Sequence, residues 1–170
     1  MKKIYALITL ALTTSVAFAA PAPIVSSDGQ SQVALPEGWG KTTGLNDKAE
    51  IEVKSSAKGL YMIVMTEGKG DFVNMDLSTF SKTTSKSLID GLTEVEVTKP
   101  ASVEVNGMKG IQLTIFGNMD NLRIGYVHTC LESGTNYYQI LEWAPRSAFE
   151  REKSELNTAL NGFAETVKKM

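Results

Sequence analysis

The sequence predicts an α+β fold, an antiparallel β-sheet of about six strands covered by two main helices. Three observations predict it. Most segments between Ala49 and Ala144 alternate apolar and polar residues. Two stretches instead repeat their apolar residues at three- and four-residue steps. The alternating segments are joined by short turns, which connect antiparallel neighbours and cannot make parallel crossovers.

Ala49 to Ser55 sets Ile51 and Val53 against Glu50, Glu52 and Lys54, a strand with one wet face. Lys58-Gly59 turns into a second strand, Leu60 to Thr66. Its two faces are both apolar: Leu60, Met62 and Val64 on one, Tyr61, Ile63 and Met65 on the other. Such a strand must be covered on both sides. After a loop at Gly68 to Asp71, Met75 to Leu92 reads as a helix. Its stripe is Leu77, Phe80, Thr84, Leu88 and Leu92, and Gly91 is placed to close it in a left-handed conformation.

From Thr93 the pattern returns to strands. Val95 and Val97 alternate with Glu94 and Glu96, and Val103 and Val105 run into Asn106-Gly107. That dipeptide tolerates the positive φ angles of a tight hairpin. Met108 to Phe116, Leu122 to Glu132 and Tyr137 to Ala144 complete the strands. Ser147 opens a terminal helix, with Glu150 three residues on as the partner in a capping box. Phe149, Leu156, Leu160, Phe163 and Val167 form its stripe, and Lys168 and Lys169 stand near its carboxyl end, where positive charge suits the helix dipole.

Residues 1–19 have the layout of a cleaved export signal. Lys2 and Lys3 precede an apolar run from Ile4 to Leu12, and Ala17-Phe18-Ala19 ends it with small residues where a signal peptidase reads. The cut is expected between Ala19 and Ala20. The apolar run is about half the roughly 20 residues a membrane span needs, so no stable membrane insertion is expected once the signal is removed. Residues 20–33, rich in Pro, Ser and Gly, read as a flexible lead, and 34–170 as a single domain. Removing 1–19 leaves 151 of the 170 residues, enough for one core without a staple. The 17 basic residues become 15 against 19 acidic, a formal charge of −4. That balance offers little to phosphate backbones, so nucleic acid is not expected as a partner.

Chemistry-bearing residues are sparse. Cys130 is the only cysteine, which rules out an internal disulfide, and burial as a small hydrophobe is its simplest role. His128, the only histidine, shares its strand face, which permits a Cys–His pair but supplies no orienting group or oxyanion site. One of each is not a zinc-type ligand cluster, and no metal or other cofactor is expected. Glu94 with Glu96, and Glu50 with Glu52, place carboxylates in pairs, as any solvated strand face does. Asp71, Asn74 and Asp76 lack the central glycine and closing glutamate of a calcium loop. Gly68-Lys69-Gly70 lacks the spacing of a phosphate-cradling loop. Trp143 reads as core. Trp39 packs under the sheet or marks a partner surface.

The entry Leu35-Pro36-Glu37-Gly38-Trp39, the strand pair and helix through Leu92, the hairpin at Val105-Asn106-Gly107, and Trp143 followed by Ser147 and Phe149 together resemble the PsbP-like fold family, which includes bacterial DcrB-like envelope proteins. The resemblance spans about residues 34–167. It implies an α/β/α sandwich and a binding, assembly or accessory role without shared catalytic residues. The expectation is therefore a soluble periplasmic or secreted accessory protein that binds another protein and is not an enzyme. One alternative is an envelope inhibitor or immunity protein against a toxin or enzyme. The other is a small-ligand carrier or enzyme, which requires a pocket with converging polar groups.

Overall fold

The computed structural model describes residues 22–166. The export signal, its Ala19–Ala20 cut, and Val167, Lys168 and Lys169 lie outside the described residues. The expected α+β class stands, with a larger sheet than anticipated. Eight antiparallel strands form the main sheet: β3 (Gly40–Lys41), β4 (Ile51–Ser55), β5 (Leu60–Gly68), β6 (Thr93–Val97), β7 (Ala101–Val105), β8 (Met108–Met119), β9 (Leu122–Glu132) and β10 (Asn136–Pro145). They are ordered β3-β4-β5-β10-β9-β8-β6, and β7 also pairs with β8. Strands β6 and β7 lie end to end along β8, meeting its residues 115–118 and 108–112 respectively, with Lys99-Pro100 between them. Two further strands, β1 (Ile24–Val25) and β2 (Ser31–Val33), join β11 (Phe163–Glu165) in a small second sheet, β1-β2-β11.

This second sheet corrects the reading of residues 20–33 as a flexible lead, for the part described. Ser31 and Val33 are buried, and β2 pairs with a strand from the other end of the chain. The turn between β1 and β2 is Asp28-Gly29, in which Gly29 takes φ +70° and Asp28 Oδ1 accepts from Ser26 Oγ at 2.6 Å. At the other tight hairpin, Asn106 and Gly107 take φ +48° and +83°, so β7 turns directly into β8.

Each face of the main sheet carries one helix. The first, α1 (Leu77–Ile89), packs on β8, β9 and β10, and the second, α2 (Arg146–Asn161), on β9 and β10 from the opposite side. Strand β5 supplies both cores, as its two apolar faces require. Met62 and Val64 join Val33, Ile140, Leu160 and Phe163 on the α2 side, and Ile63 joins Leu113, Ile115, Tyr126 and Leu141 on the α1 side. Trp143 stacks on Tyr61 at 5.3 Å between ring centres beside the second of these clusters.

Both helices are shorter than their periodicity suggests. Asp76 caps α1 by accepting from the Thr79 amide at 2.7 Å. The helix closes at Asp90, φ −60°, so Gly91 serves as no left-handed cap. The capping box at Ser147 does not form. Pro145 stands at the N-cap of α2, Ser147 lies inside the helix, and Glu150 pairs with Arg146 at 3.2 Å instead. The terminal stripe is broken at Gly162. A Cβ there would sit 1.9 Å from the carbonyl oxygen of Ala34, so only glycine lets the chain leave the helix against β2. Phe163 consequently reaches the core from a strand.

Candidate functional site

His128 and Cys130 alternate with Val127 and Thr129 along β9, which turns them toward α1. Both are fully buried. Thr84 of α1 reaches down between them: its Oγ1 lies 3.1 Å from His128 Nε2 and 3.4 Å from Cys130 Sγ, and those two atoms are 3.8 Å apart. Burial pulls the imidazole down to about 4 and pushes the thiol up to about 11. At neutral pH both groups are uncharged, the opposite of a thiolate–imidazolium pair. Among the described residues no group of three or more His, Cys, Asp or Glu side chains is arranged to hold a metal.

The acidic pairs separate. Glu52 Oε2 accepts from the amides of Leu45, at 2.5 Å, and Asn46, at 3.4 Å, and so holds the loop before β4. Glu50 lies beside it with its carboxyl raised by burial. Glu94, at φ +50° in a β-bulge, and Glu96 both face Arg123, at 3.5 and 2.6 Å. All three lie at the surface, where ion pairs contribute about 0–1 kcal/mol. Asp76 is spent as a helix cap, Asn74 sits at φ +57°, and Asp71 ends a 3-10 turn, Lys69–Asp71.

Trp39 bridges the two readings of it. Its Nε1 donates to Glu155 Oε1 of α2 at 2.8 Å, and its ring packs against the cores on the α2 side. Lys58 pairs with the same carboxylate. The outer part of the indole borders a shallow depression with Gly38, Gly40, Lys41 and Lys54. The indole thus ties the entry segment to α2 and is only half buried.

Two features escaped the sequence reading. The first is Glu142 of β10. It is fully buried, neither carboxyl oxygen has a hydrogen-bond partner among the described residues, and its cross-strand neighbours are Met62 and Val127. Burial raises its pKa well above the usual carboxylate range. The pattern Tyr138, Ile140, Glu142, Ala144 carries the signal, since three apolar residues on that face flag the fourth position as interior. The second is an open groove of about 550 Å³ between the start of α1 and the β7–β8 edge. Leu77, Gly110 and Ile111 line it, with Ser102, Glu104, Lys109 and Glu132 at its polar margin. Among the described residues strand β7 pairs with β8 alone, so within them its outer backbone edge is unpaired beside this groove.

No protein-family model matches the chain, and no curated protein matches it in sequence. Solved structures match its fold. Cyanobacterial PsbP (CyanoP) from Synechocystis superposes with a TM-score of 0.62 at 11% identity, over 92% of this chain and 99% of that one. LpqN of Mycobacterium tuberculosis, described as involved in cell envelope biogenesis, gives 0.64 at 10% identity, over 86% and 90%. The Saccharomyces cerevisiae Ran-binding protein Mog1p gives 0.57 at 14% identity, over 84% and 94%. The chain is built on the PsbP-like fold, and at these identities the likeness concerns the fold alone.

Proposed function

We propose that this chain is an exported accessory protein that binds another protein of the envelope or a secreted protein, without catalysing a reaction on it. One observation carries the reading. The side chains with reactive potential, Cys130 and His128, are sealed and uncharged beneath α1, while an unpaired strand edge beside a groove is accessible among the described residues. A polypeptide can extend such an edge through main-chain hydrogen bonds, with side-chain pockets adding selectivity. Two proteins of the same fold support it by what they are described as doing, one acting in envelope biogenesis and one binding the protein Ran. Export rests on residues 1–19. Among the described residues no helix is long and apolar enough to cross a membrane.

The test is to express the full chain in a bacterial host, recover it from the envelope fraction and measure its mass and its co-purifying proteins. The reading expects a chain beginning at Ala20 and a partner retained by the wild type. Ser102→Arg, which fills the groove from an exposed position, should lose that partner while keeping the same melting temperature. An intact amino terminus would contradict export. A partner set unchanged by Ser102→Arg, or an empty capture, would contradict binding at this edge.

A further inference from the structure

Strands β6 and β7 both lie along the outer side of β8, and they differ in their fitness to take a further strand. Strand β6 bulges between Thr93 and Glu96, with Glu94 at φ +50°, and Glu94 and Glu96 both pair with Arg123. Bulges and charges of that kind keep an edge from pairing. Strand β7 follows β8 in unbroken register from Ala101 opposite Gln112 to Val105 opposite Met108, and Glu104 is its single charge. The register sets what an added strand would meet. Side chains alternate across the sheet, so Ser102 and Glu104 face the groove on the α1 side while Val103 and Val105 face the core under α2. Glu104 stands opposite Lys109, and Lys109 opposite Glu132, which binds Lys69 at 3.1 Å. Charge thus alternates in sign from strand to strand, and the row ends at the unpaired edge on an exposed acid. In the next row Ser102 stands opposite Ile111, and Leu77 of α1 forms the far wall of the groove. Leu77 and Ile111 are only half buried, because the short Ser102 does not cover them.

We propose that the partner contributes an extended segment, added antiparallel to β7, with Lys or Arg opposite Glu104 and an apolar residue two positions later, opposite Ser102. This rests on the binding role proposed above and adds the chemistry of the segment bound. A basic side chain continues the alternating row beyond Glu104, since opposite charges on neighbouring strands attract and like charges repel. Two residues on, the next side chain emerges on the same face of the sheet and enters the groove between Leu77 and Ile111. An antiparallel strand runs against β7, so its residues in chain order are basic, any, apolar. A segment with Asp or Glu in the first position meets Glu104 and is rejected, which gives the edge selectivity that main-chain hydrogen bonds alone cannot supply.

Selection of peptides from a random phage-displayed library on the purified mature protein tests this. Enriched sequences should share the basic-any-apolar spacing and lose their binding to Ser102→Arg. A synthetic peptide of the enriched sequence, and the same peptide with Glu in place of its basic residue, are then titrated by fluorescence anisotropy. The wild type should prefer the basic peptide by about threefold or more, and the preference should shrink in high salt. Glu104→Gln should remove most of the preference, and Glu104→Lys should reverse it. Glu104 is exposed, so both variants should melt at the wild-type temperature. Peptides that bind Ser102→Arg as well as the wild type, or no enrichment at all, would overturn both the edge as a binding site and the segment assigned to it. Peptides lost with Ser102→Arg whose charge preference is the same in Glu104→Lys as in the wild type would leave the edge standing and overturn the basic segment.

Discussion

The Glu142 carboxyl lies beside Met62 and Val127 with no donor to meet it among the described residues. A buried polar group without a partner costs about 1–3 kcal/mol, and more if it is charged. Its pKa is raised in the folded state, so between the ordinary carboxylate range near 4.5 and that raised value the native protein holds the extra proton. Stability is therefore greatest below this window and falls as pH rises through it. Urea unfolding at stepped pH should show that decline. Glu142→Leu should flatten it and add about 1–3 kcal/mol at neutral pH. An identical pH slope in the variant would refute the assignment. At the same scale, sequence reasoning correctly placed Cys130 and His128 on one strand face. It could not find the hydroxyl between them, because Thr84 comes from an element 44 residues away from His128. It also passed over Glu142, because a glutamate in an alternating strand reads as solvent-facing until the neighbours on its own face are compared.

Among the elements, the long strands β5, β8, β9 and β10 and both helices were legible, because each repeats its period several times. The five-residue strands β4, β6 and β7 were legible too, but those of two or three residues were not. Strands β1, β2 and β11 have two, three and three residues, too few for any period, and they gain their stability from one another across the chain. A side-chain cluster reinforces that contact. Glu165 Oε1 of β11 accepts from Ser133 Oγ and Tyr138 Oη, both at 2.7 Å, and Asn136 Nδ2 donates to Gln30 Oε1 at 3.0 Å. Burial, with the bond to Glu165, pushes the Tyr138 phenol upward, so it stays a donor. Glu165→Ala leaves two hydroxyls without their acceptor and should cost about 1–3 kcal/mol. Hydrogen exchange at Ser31–Val33 should rise accordingly, and protection equal to that of the wild type would show that the cluster does not hold the small sheet. The end of α2 teaches the same lesson. A helical stripe running to Val167 was a reasonable reading of spacing, yet Gly162 must pass within contact of Ala34, a requirement that only the packed structure reveals.

At the scale of the whole molecule, a sheet covered by one helix on each side leaves its margins for function. One margin ends in the two-residue strand β3. The other carries β7, open along its outer edge and bordered by the groove at Leu77 and Ile111. The resemblance drawn from the entry motif, the Asn106-Gly107 hairpin and the Trp143–Phe149 segment led to the fold that the solved structures share. It did not lead to this edge, since strand ends and free margins depend on which strands pair. In the proposed function the molecule works by contact along β7. A photo-crosslinking residue at Ser102, with a matched one at Ser154 on the exposed side of α2, tests it most directly in cells exporting the protein. Binding along β7 should give a discrete protein adduct from position 102 and none from 154. Equal labelling from both positions, or no adduct from 102, would contradict it.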